Sequence, residues 1–312
     1  MPVSNAPISA VVLSGDRRLL AYTLPGEGLV VRAVVDGTIL RRVPFSLSGS
    51  MTMSELSDDG RFVAIIPGTG SVTGERNNRI PWSLSILDVF SGKQKVALSL
   101  ATLVKGRLSG SSNPNCGLVG VHWLPGDRLL IGLSGTHYET YIYDPATDAL
   151  KLIPDLQYVY AVSANGMVLG EDMDAGLTLV WQDGIAEPVV PDKAWPRTGM
   201  GAISADGTVL ALMVAKTGDW GTPHGWQVFK REGSEWRPAG PTAEVDWMNQ
   251  PPSVVTADGG VAWTVVYQST SNNHTVLLSH DFGSGKWEEW FRTQDMQVDL
   301  DSFHFAGLVP KE

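Results

Sequence analysis

The sequence predicts an all-β repeat protein, and three observations support this fold class. A short phrase occurs six times: an apolar strand, a turn rich in Ser, Asp, Asn and Gly, and a second apolar strand. A second predicted hairpin follows each copy, and no stretch has the sustained apolar period that predicts a helix. The six copies occupy 11–17, 55–61, 123–128, 161–166, 202–207 and 254–259.

The repeated phrase is clearest in its second and fifth copies, ELSDDGR at 55–61 and AISADG at 202–207. The Asp, Asn and Gly residues of the phrase suit tight turns, so we interpret them as turn formers. Neighbouring copies are about 40 to 65 residues apart, which is in the range of propeller blades. Each copy therefore predicts the first two strands, A and B, of one repeat unit.

The second hairpin of each unit predicts two further strands, C and D. In the first unit, two alternating apolar runs flank Asp36-Gly37, and Asp-Gly between such runs is a strong hairpin signal. The corresponding turns of the other units are at 88–92, 144–147, 183–184, 232–233 and 281–285. Each unit is therefore expected to be a sheet of four antiparallel strands.

Four-stranded sheets that repeat radially make a β-propeller, in which few strand edges are exposed. We predict a single propeller domain over 1–312 with six blades, and a closing tail at 294–312. A seven-bladed ring is the alternative, because 302–309 also has the pattern of a strand and could begin another blade. The six predicted blades are at 8–48, 51–100, 117–154, 157–191, 199–240 and 252–293.

The A–B turns resemble those of the WD40-like and TolB-like β-propeller superfamily over about residues 8 to 293. The Trp-Asp end of strand C that is typical of WD40 repeats is degenerate here, for example Leu87-Asp88 and Trp181-Gln182. The resemblance is therefore to the TolB-like branch. It implies a propeller fold but no particular activity, since propellers include binding scaffolds as well as lyases, hydrolases and cyclases.

Composition and charge exclude several classes of function. Hydrophobic residues make up 43% of the chain, which is ample for a core and argues against disorder. The net charge of −10 disfavours binding to nucleic acids and to anionic membrane surfaces. No apolar run has the length of about 18 residues that a membrane-spanning helix needs.

The expected compartment is the cytoplasm. Cys116 is the single cysteine, so the chain cannot form an intramolecular disulfide. The first residues have neither a basic segment nor an apolar segment of the kind found in a secretory signal.

Loop lengths predict which face carries a site. In a propeller blade the A–B and C–D turns lie on one face, and the B–C and D–A connections lie on the other. The second set is longer and includes 67–79, 105–118, 217–225, 241–253 and 269–274. Long loops on a rigid scaffold usually carry the binding residues, so we expect a site on this face, around the axial channel.

Three histidines, His137, His224 and His274, fall in predicted B–C loops of this face. Imidazoles that converge could bind a divalent metal or transfer protons. The simpler interpretation is that each histidine caps its own strand. The sequence predicts no cofactor, and a divalent metal enters only with the histidine hypothesis.

Aromatic and polar side chains on the same face are the candidate ligand-binding residues. Tryptophan on a loop usually packs against something or binds something, and its polar neighbours here suit an aromatic or sugar ligand. The simpler interpretation is that the large side chains seal gaps between blades. The candidates are Tyr158, Trp195, Arg197, Trp220, Asp246, Trp247, Asn249 and Arg76.

These observations favour a binding module that holds a small-molecule or protein ligand on the long-loop face. The alternative is a propeller enzyme of the lyase, hydrolase or cyclase type, in which the loop histidines act as acid, base or metal ligands. No cluster has the spacing that is diagnostic of catalysis, which favours the binding hypothesis.

Overall fold

The described part of the chain consists of β-strands joined by turns. The computed structural model describes residues 11–14, 18–24, 28–45, 51–67, 83–99, 117–134, 138–216, 224–245, 251–268 and 274–292. Within these ranges there are 25 strands and no helix, so the predicted all-β class is confirmed.

The strands divide between two compact units, of which unit 1 comprises Met1–Leu152 and His304–Glu312 and unit 2 comprises Ile153–Phe303. Sheet 1 contains β1 (Val11–Leu13), β2 (Leu19–Leu24), β3 (Gly28–Ala33) and β4 (Ile39–Val43). Sheet 2 contains β5 (Met51–Leu56), β6 (Phe62–Pro67), β7 (Ser83–Asp88) and β8 (Lys93–Ser99). Sheet 3 contains β9 (Gly117–Leu124), β10 (Arg128–Ser134), β11 (Glu139–Asp144) and β12 (Ala149–Ile153).

The remaining strands form three further sheets, which belong to unit 2. Sheet 4 contains β13 (Tyr158–Val162), β14 (Val168–Asp172), β15 (Leu177–Gln182) and β16 (Ile185–Pro188). Sheet 5 contains β17 (Arg197–Ile203), β18 (Val209–Ala215), β19 (His224–Glu232), β20 (Glu235–Pro238) and β21 (Ala243–Val245). Sheet 6 contains β22 (Val254–Val255), β23 (Val261–Gln268), β24 (His274–Asp281) and β25 (Lys286–Arg292).

In every described sheet, four strands pair antiparallel in chain order. This pattern is consistent with the blades of a β-propeller. Sheet 5 has one more strand, because β21 pairs with β19 beyond the end of β20. This strand lies within 241–253, a stretch that the sequence predicts to be loop.

Local hydrogen bonds explain why the repeated phrase forms a turn. The Ser57 hydroxyl donates to Asp59 Oδ1 at 2.7 Å and accepts the Phe62 N–H at 2.9 Å, while Asp59 Oδ1 also accepts the Arg61 N–H at 2.8 Å. These bonds replace the strand pairing that the turn interrupts. The same pattern recurs at Ser163–Asn165, Ser204–Asp206 and Thr256–Asp258.

The Asp-Gly signal is also explained by geometry. Asp183 and Gly184 form the two-residue connection between β15 and β16, and their φ angles are 48° and 94°. Positive φ at both central positions is what the favoured type I′ hairpin turn requires.

Large apolar side chains fill the space between consecutive sheets within each unit. In unit 1, Leu29 and Leu56 belong to a cluster between sheets 1 and 2, and Trp123 belongs to a cluster between sheets 2 and 3. In unit 2, Trp236 packs between sheets 4 and 5, and Trp226 packs between sheets 5 and 6. Each fully buried side chain of this size contributes about 1.5–3 kcal/mol, so packing between sheets is a large contribution to stability.

The predicted closing tail at 294–312 and the first ten residues lie outside the described residues. Closure of a ring, the blade boundaries and the number of blades therefore stay predictions.

Candidate functional site

Carboxylates at one edge of the sheets bind to the turns in which they lie. We call the edge that carries the A–B and C–D turns the turn edge. There, Asp144 accepts the Ala146 N–H and the Thr147 hydroxyl, each at 2.8 Å, and the Thr147 bond is the main cause of a lowered Asp144 pKa. The Ser284 N–H likewise lowers the pKa of Asp281. Both carboxylates therefore bind to groups of the turns in which they lie.

The opposite edge of unit 2 collects aromatic and ionisable side chains that no turn uses. It is the edge at which β13, β15, β17 and β19 begin, and we call it the loop edge of unit 2. The side chains that define it belong to Tyr158, Glu171, Arg197, Lys216 and His224.

A pair of tyrosines lies on β13 at this edge. Tyr158 is in register with Glu171 on β14, and a bulge at Tyr160 interrupts the pairing between Val159 and Ala161. The two tyrosine rings touch, with centroids 5.3 Å apart and planes tilted by 53°. Both side chains are partly exposed. The bulge thus places two aromatic rings side by side at the edge of the sheet.

A carboxylate is bound to this aromatic pair. The Tyr160 hydroxyl donates a hydrogen bond to Glu171 Oε2. Burial raises the pKa of Tyr160, the Glu171 hydrogen bond raises it further, and the positive charge of Arg197 opposes both effects. Tyr160 therefore stays protonated and acts as a hydrogen-bond donor at neutral pH.

A hydrogen bond between two threonines joins sheets 4 and 5 beside this group. Thr178, on β15, is in register with Glu171. Its hydroxyl accepts a hydrogen bond of 2.8 Å from the hydroxyl of Thr198 on β17. The carboxylate and the tyrosines therefore lie on the face of sheet 4 that packs against sheet 5.

Trp195 lies in the connection between β16 and β17, as the sequence predicts, but it is buried. Its indole belongs to the apolar cluster between sheets 4 and 5. The Lys216 ammonium lies 4.7 Å from the centre of the indole ring and 2.9 Å from Glu244 Oε1. This placement agrees with the simpler interpretation, in which Trp195 seals a gap between sheets.

His224 is the first residue of β19 rather than a loop residue, and it is buried. It is in register with Ala215 and Val245, and Ala215 is also in register with Arg197. These residues form one row across sheet 5. The row lies on the opposite face of the sheet from Thr198, so His224 and the tyrosine pair are on different faces.

The other predicted site residues lie outside the described residues. They are Arg76, His137, Trp220, Asp246, Trp247 and Asn249. The backbone of His274 begins β24, but its side chain is not among those described. Convergence of the three histidines therefore stays a hypothesis, beside the simpler interpretation that each histidine caps its own strand.

Two features are absent from the described part of the chain. None of its His, Cys, Asp and Glu side chains form a group of three or more that could hold a metal ion. The same ranges contain no helix that is long and apolar enough to cross a membrane.

The sequence analysis did not identify three charged residues of this edge, namely Glu171, Lys216 and Glu244. Glu171 and Lys216 are charged residues at or just beyond the ends of apolar strands, which is a weak signal. Tyr158 and Tyr160 are two positions apart, which predicts that they share a face of a strand, so the sequence does indicate that they lie together.

The sequence analysis also missed a histidine–carboxylate pair in unit 1. His122 Nδ1 lies 3.9 Å from Glu55 Oε2, and Glu55 also accepts the backbone N–H of Trp123. The Trp123 indole N–H donates to the Glu55 carbonyl at 3.2 Å. These contacts join β5 to β9 close to the turn edge, so they tie sheets 2 and 3 together.

Comparison with known proteins identifies structural neighbours only. No protein-family model and no curated protein match the chain. Among solved structures, TolB from Acinetobacter baumannii has 13% identity and a TM-score of 0.47 over 91% of this chain and 64% of its own. Porphyromonas gingivalis dipeptidyl peptidase 4 has 12% identity and a TM-score of 0.53 over 91% and 45%. The tricorn protease has 13% identity and a TM-score of 0.50 over 97% and 33%.

The chain thus spans between a third and just under two thirds of the length of these proteins. Identities this low show the fold alone. The two neighbours with TM-scores of 0.53 and 0.50 are consistent with the β-propeller fold that the turn sequences predict.

Proposed function

We propose that this chain is a six-bladed β-propeller that binds a small-molecule or protein ligand through the loop edge of unit 2. Six antiparallel sheets in the described ranges support the blade number. The proposed compartment is the cytoplasm, because a single cysteine gives no intramolecular disulfide to stabilise a secreted chain.

One observation carries the proposal: the partly exposed group of Tyr158, Tyr160 and Glu171 at the boundary of sheets 4 and 5. Aromatic faces beside a few fixed polar groups are the usual composition of a ligand site. At the turn edge, the Asp144 and Asp281 carboxylates are instead bound to their own turns.

The rigidity of the group supports the same proposal. Tyr158 and Glu171 are held by strand pairing, and the Thr178–Thr198 hydrogen bond fixes sheet 4 against sheet 5. Side chains held by a rigid scaffold lose little conformational entropy when a ligand binds.

A thermal-shift screen tests the proposal. The native chain and the variants Tyr158→Ala, Glu171→Gln and Phe90→Ala are screened against sugars, nucleotides, aromatic acids, peptides and divalent metals. Phe90 is the matched control, because it is an aromatic residue that is 54% exposed and belongs to unit 1, whereas the proposed site consists of residues of unit 2. We expect one class to stabilise the native chain and the control, but to stabilise the two site variants less.

Stabilisation that is equal in all four proteins would place binding elsewhere. The absence of any stabilising class, followed by affinity capture with no difference between the native chain and the site variants, would refute the proposed surface.

A further inference from the structure

One oxygen of Glu171 is not used by the fold. Oε2 accepts the Tyr160 hydroxyl, whereas Oε1 accepts a hydrogen bond from no residue in the described ranges. The side chain is only partly buried, so Oε1 can meet solvent or a ligand. A carboxylate oxygen in this position selects a ligand group that donates a hydrogen bond.

The tyrosine pair restricts the shape of that ligand. Ring centroids 5.3 Å apart mean that Tyr158 and Tyr160 are in contact, so no cation fits between them as it does in an aromatic cage. The Tyr160 ring packs in part against the apolar cluster between sheets 4 and 5, and the exposed parts of the two rings offer apolar surface to a ligand. A ligand here must therefore combine an apolar face with hydrogen-bond donors at its rim.

The charges around the pair restrict the charge of that ligand. The Glu171 carboxylate repels an anion, whereas its Oε1 can accept a hydrogen bond from an uncharged hydroxyl group. A neutral ligand with hydroxyl groups therefore avoids the repulsion and supplies the donor.

We infer that the loop edge of unit 2 binds a neutral saccharide, with a C–H face of one sugar ring against the tyrosine pair and a sugar hydroxyl donating to Glu171 Oε1. This inference rests on the proposed function and deepens it by naming the class of ligand. A pyranose ring has both properties that the group requires, since its axial C–H bonds form an apolar face and its hydroxyls lie around the rim.

The test is binding of the full chain to immobilised neutral and acidic oligosaccharides, with competition by the same oligosaccharides in solution. We expect retention on neutral oligosaccharides. Glu171→Gln keeps one acceptor oxygen for Tyr160 and replaces the other by an NH₂ donor, so affinity should fall about ten- to a hundredfold. Tyr158→Ala should weaken binding at least about tenfold, whereas Phe90→Ala should leave it unchanged.

Failure to retain any neutral oligosaccharide would overturn the inference. Retention that is equal in the native chain, Glu171→Gln and Tyr158→Ala would also overturn it. A peptide, nucleotide or aromatic acid whose binding depends on Tyr158 and Glu171 would leave the proposed function standing and reject the saccharide class. Far-UV circular dichroism and the unfolding midpoint of each variant establish that a loss of binding is not a loss of fold.

Discussion

Glu187 connects two sheets of unit 2, and its replacement tests how neighbouring sheets are held together. Its carboxylate, on β16, accepts hydrogen bonds from the Arg231 guanidinium on β19 and, at 3.2 Å, from the Trp236 indole N–H on β20. Glu187 is 8% exposed and Trp236 is fully buried. The carboxylate is therefore the acceptor for a donor that water does not reach.

The cost of Glu187→Ala follows from the different surroundings of its two donors. Losing the acceptor leaves the Trp236 N–H buried without a partner, which costs about 1–3 kcal/mol. The Arg231 side chain is 49% exposed and stays hydrated, so the lost ion pair adds only about 0–1 kcal/mol. We expect a total near 2 kcal/mol. Glu187→Gln keeps an acceptor oxygen and should cost about 1 kcal/mol.

Urea unfolding at neutral pH measures this difference, with the slope of the transition recorded to verify that the unfolding reaction is unchanged. Glu235→Ala is the matched control, because Glu235 binds Arg237 within one strand at the surface, and its loss should cost at most about 0.5 kcal/mol. Glu187→Ala that is no less stable than Glu187→Gln or than Glu235→Ala would refute the reasoning.

Three further predictions concern a buried histidine, a pair of glycines and a turn serine. Burial lowers the pKa of His280 below its unfolded value of about 6.5, so its contribution to stability is present above that pH and is lost as the pH falls. Between roughly pH 7.5 and 5.5, the urea midpoint should therefore fall less in His280→Phe than in the native chain. An equal fall in both proteins would exclude His280 as the cause. Gly28→Ala should be at least about 2 kcal/mol more destabilising than Gly37→Ala. Both glycines have positive φ, but of the two only Gly28 would place a Cβ against a backbone oxygen, that of Val43 at 2.1 Å. Equal melting temperatures of the two variants would contradict this. Ser204→Ala should cost about 1–2 kcal/mol, because the Ser204 hydroxyl accepts the buried N–H of Val209 at 3.0 Å. Ser234→Ala, in an exposed turn, should have no measurable effect. Similar unfolding midpoints for the two variants would contradict the role assigned to the Ser204 hydroxyl.

The strands of this fold were predictable because their turns are specified locally. The Ser57 and Asp59 side chains bond to backbone groups within five residues, so the sequence of the phrase is enough to indicate the turn. The two-residue hairpin at Asp183-Gly184 is local in the same sense.

Contacts between sheets were not predictable from one sequence. Strand β21 forms only because Ala243–Val245 meets the first residues of β19, well outside any local window. Glu187 and Arg231 are 44 positions apart, and nothing in the local pattern links them. Long-range contacts of this kind depend on how the sheets pack, which local propensity does not encode.

The sequence predicts the parts of the candidate site that depend on local structure, but not the parts that depend on strand pairing. The position of Tyr158 at the start of a strand follows from the repeat, and the alternation with Tyr160 follows from strand geometry. Glu171 becomes part of the group only through the antiparallel register of β13 and β14 and the bulge at Tyr160. A bulge is set by pairing, so a single sequence does not reveal it.

Hydrogen–deuterium exchange with and without the most strongly stabilising compound of the ligand screen tests the central claim most directly. Binding at the loop edge of unit 2 predicts slower exchange in 158–162 and 197–203, with no change in the turn segments 57–61 and 204–208. Slower exchange that is confined to those turn segments, with 158–162 and 197–203 unaffected, would contradict the account.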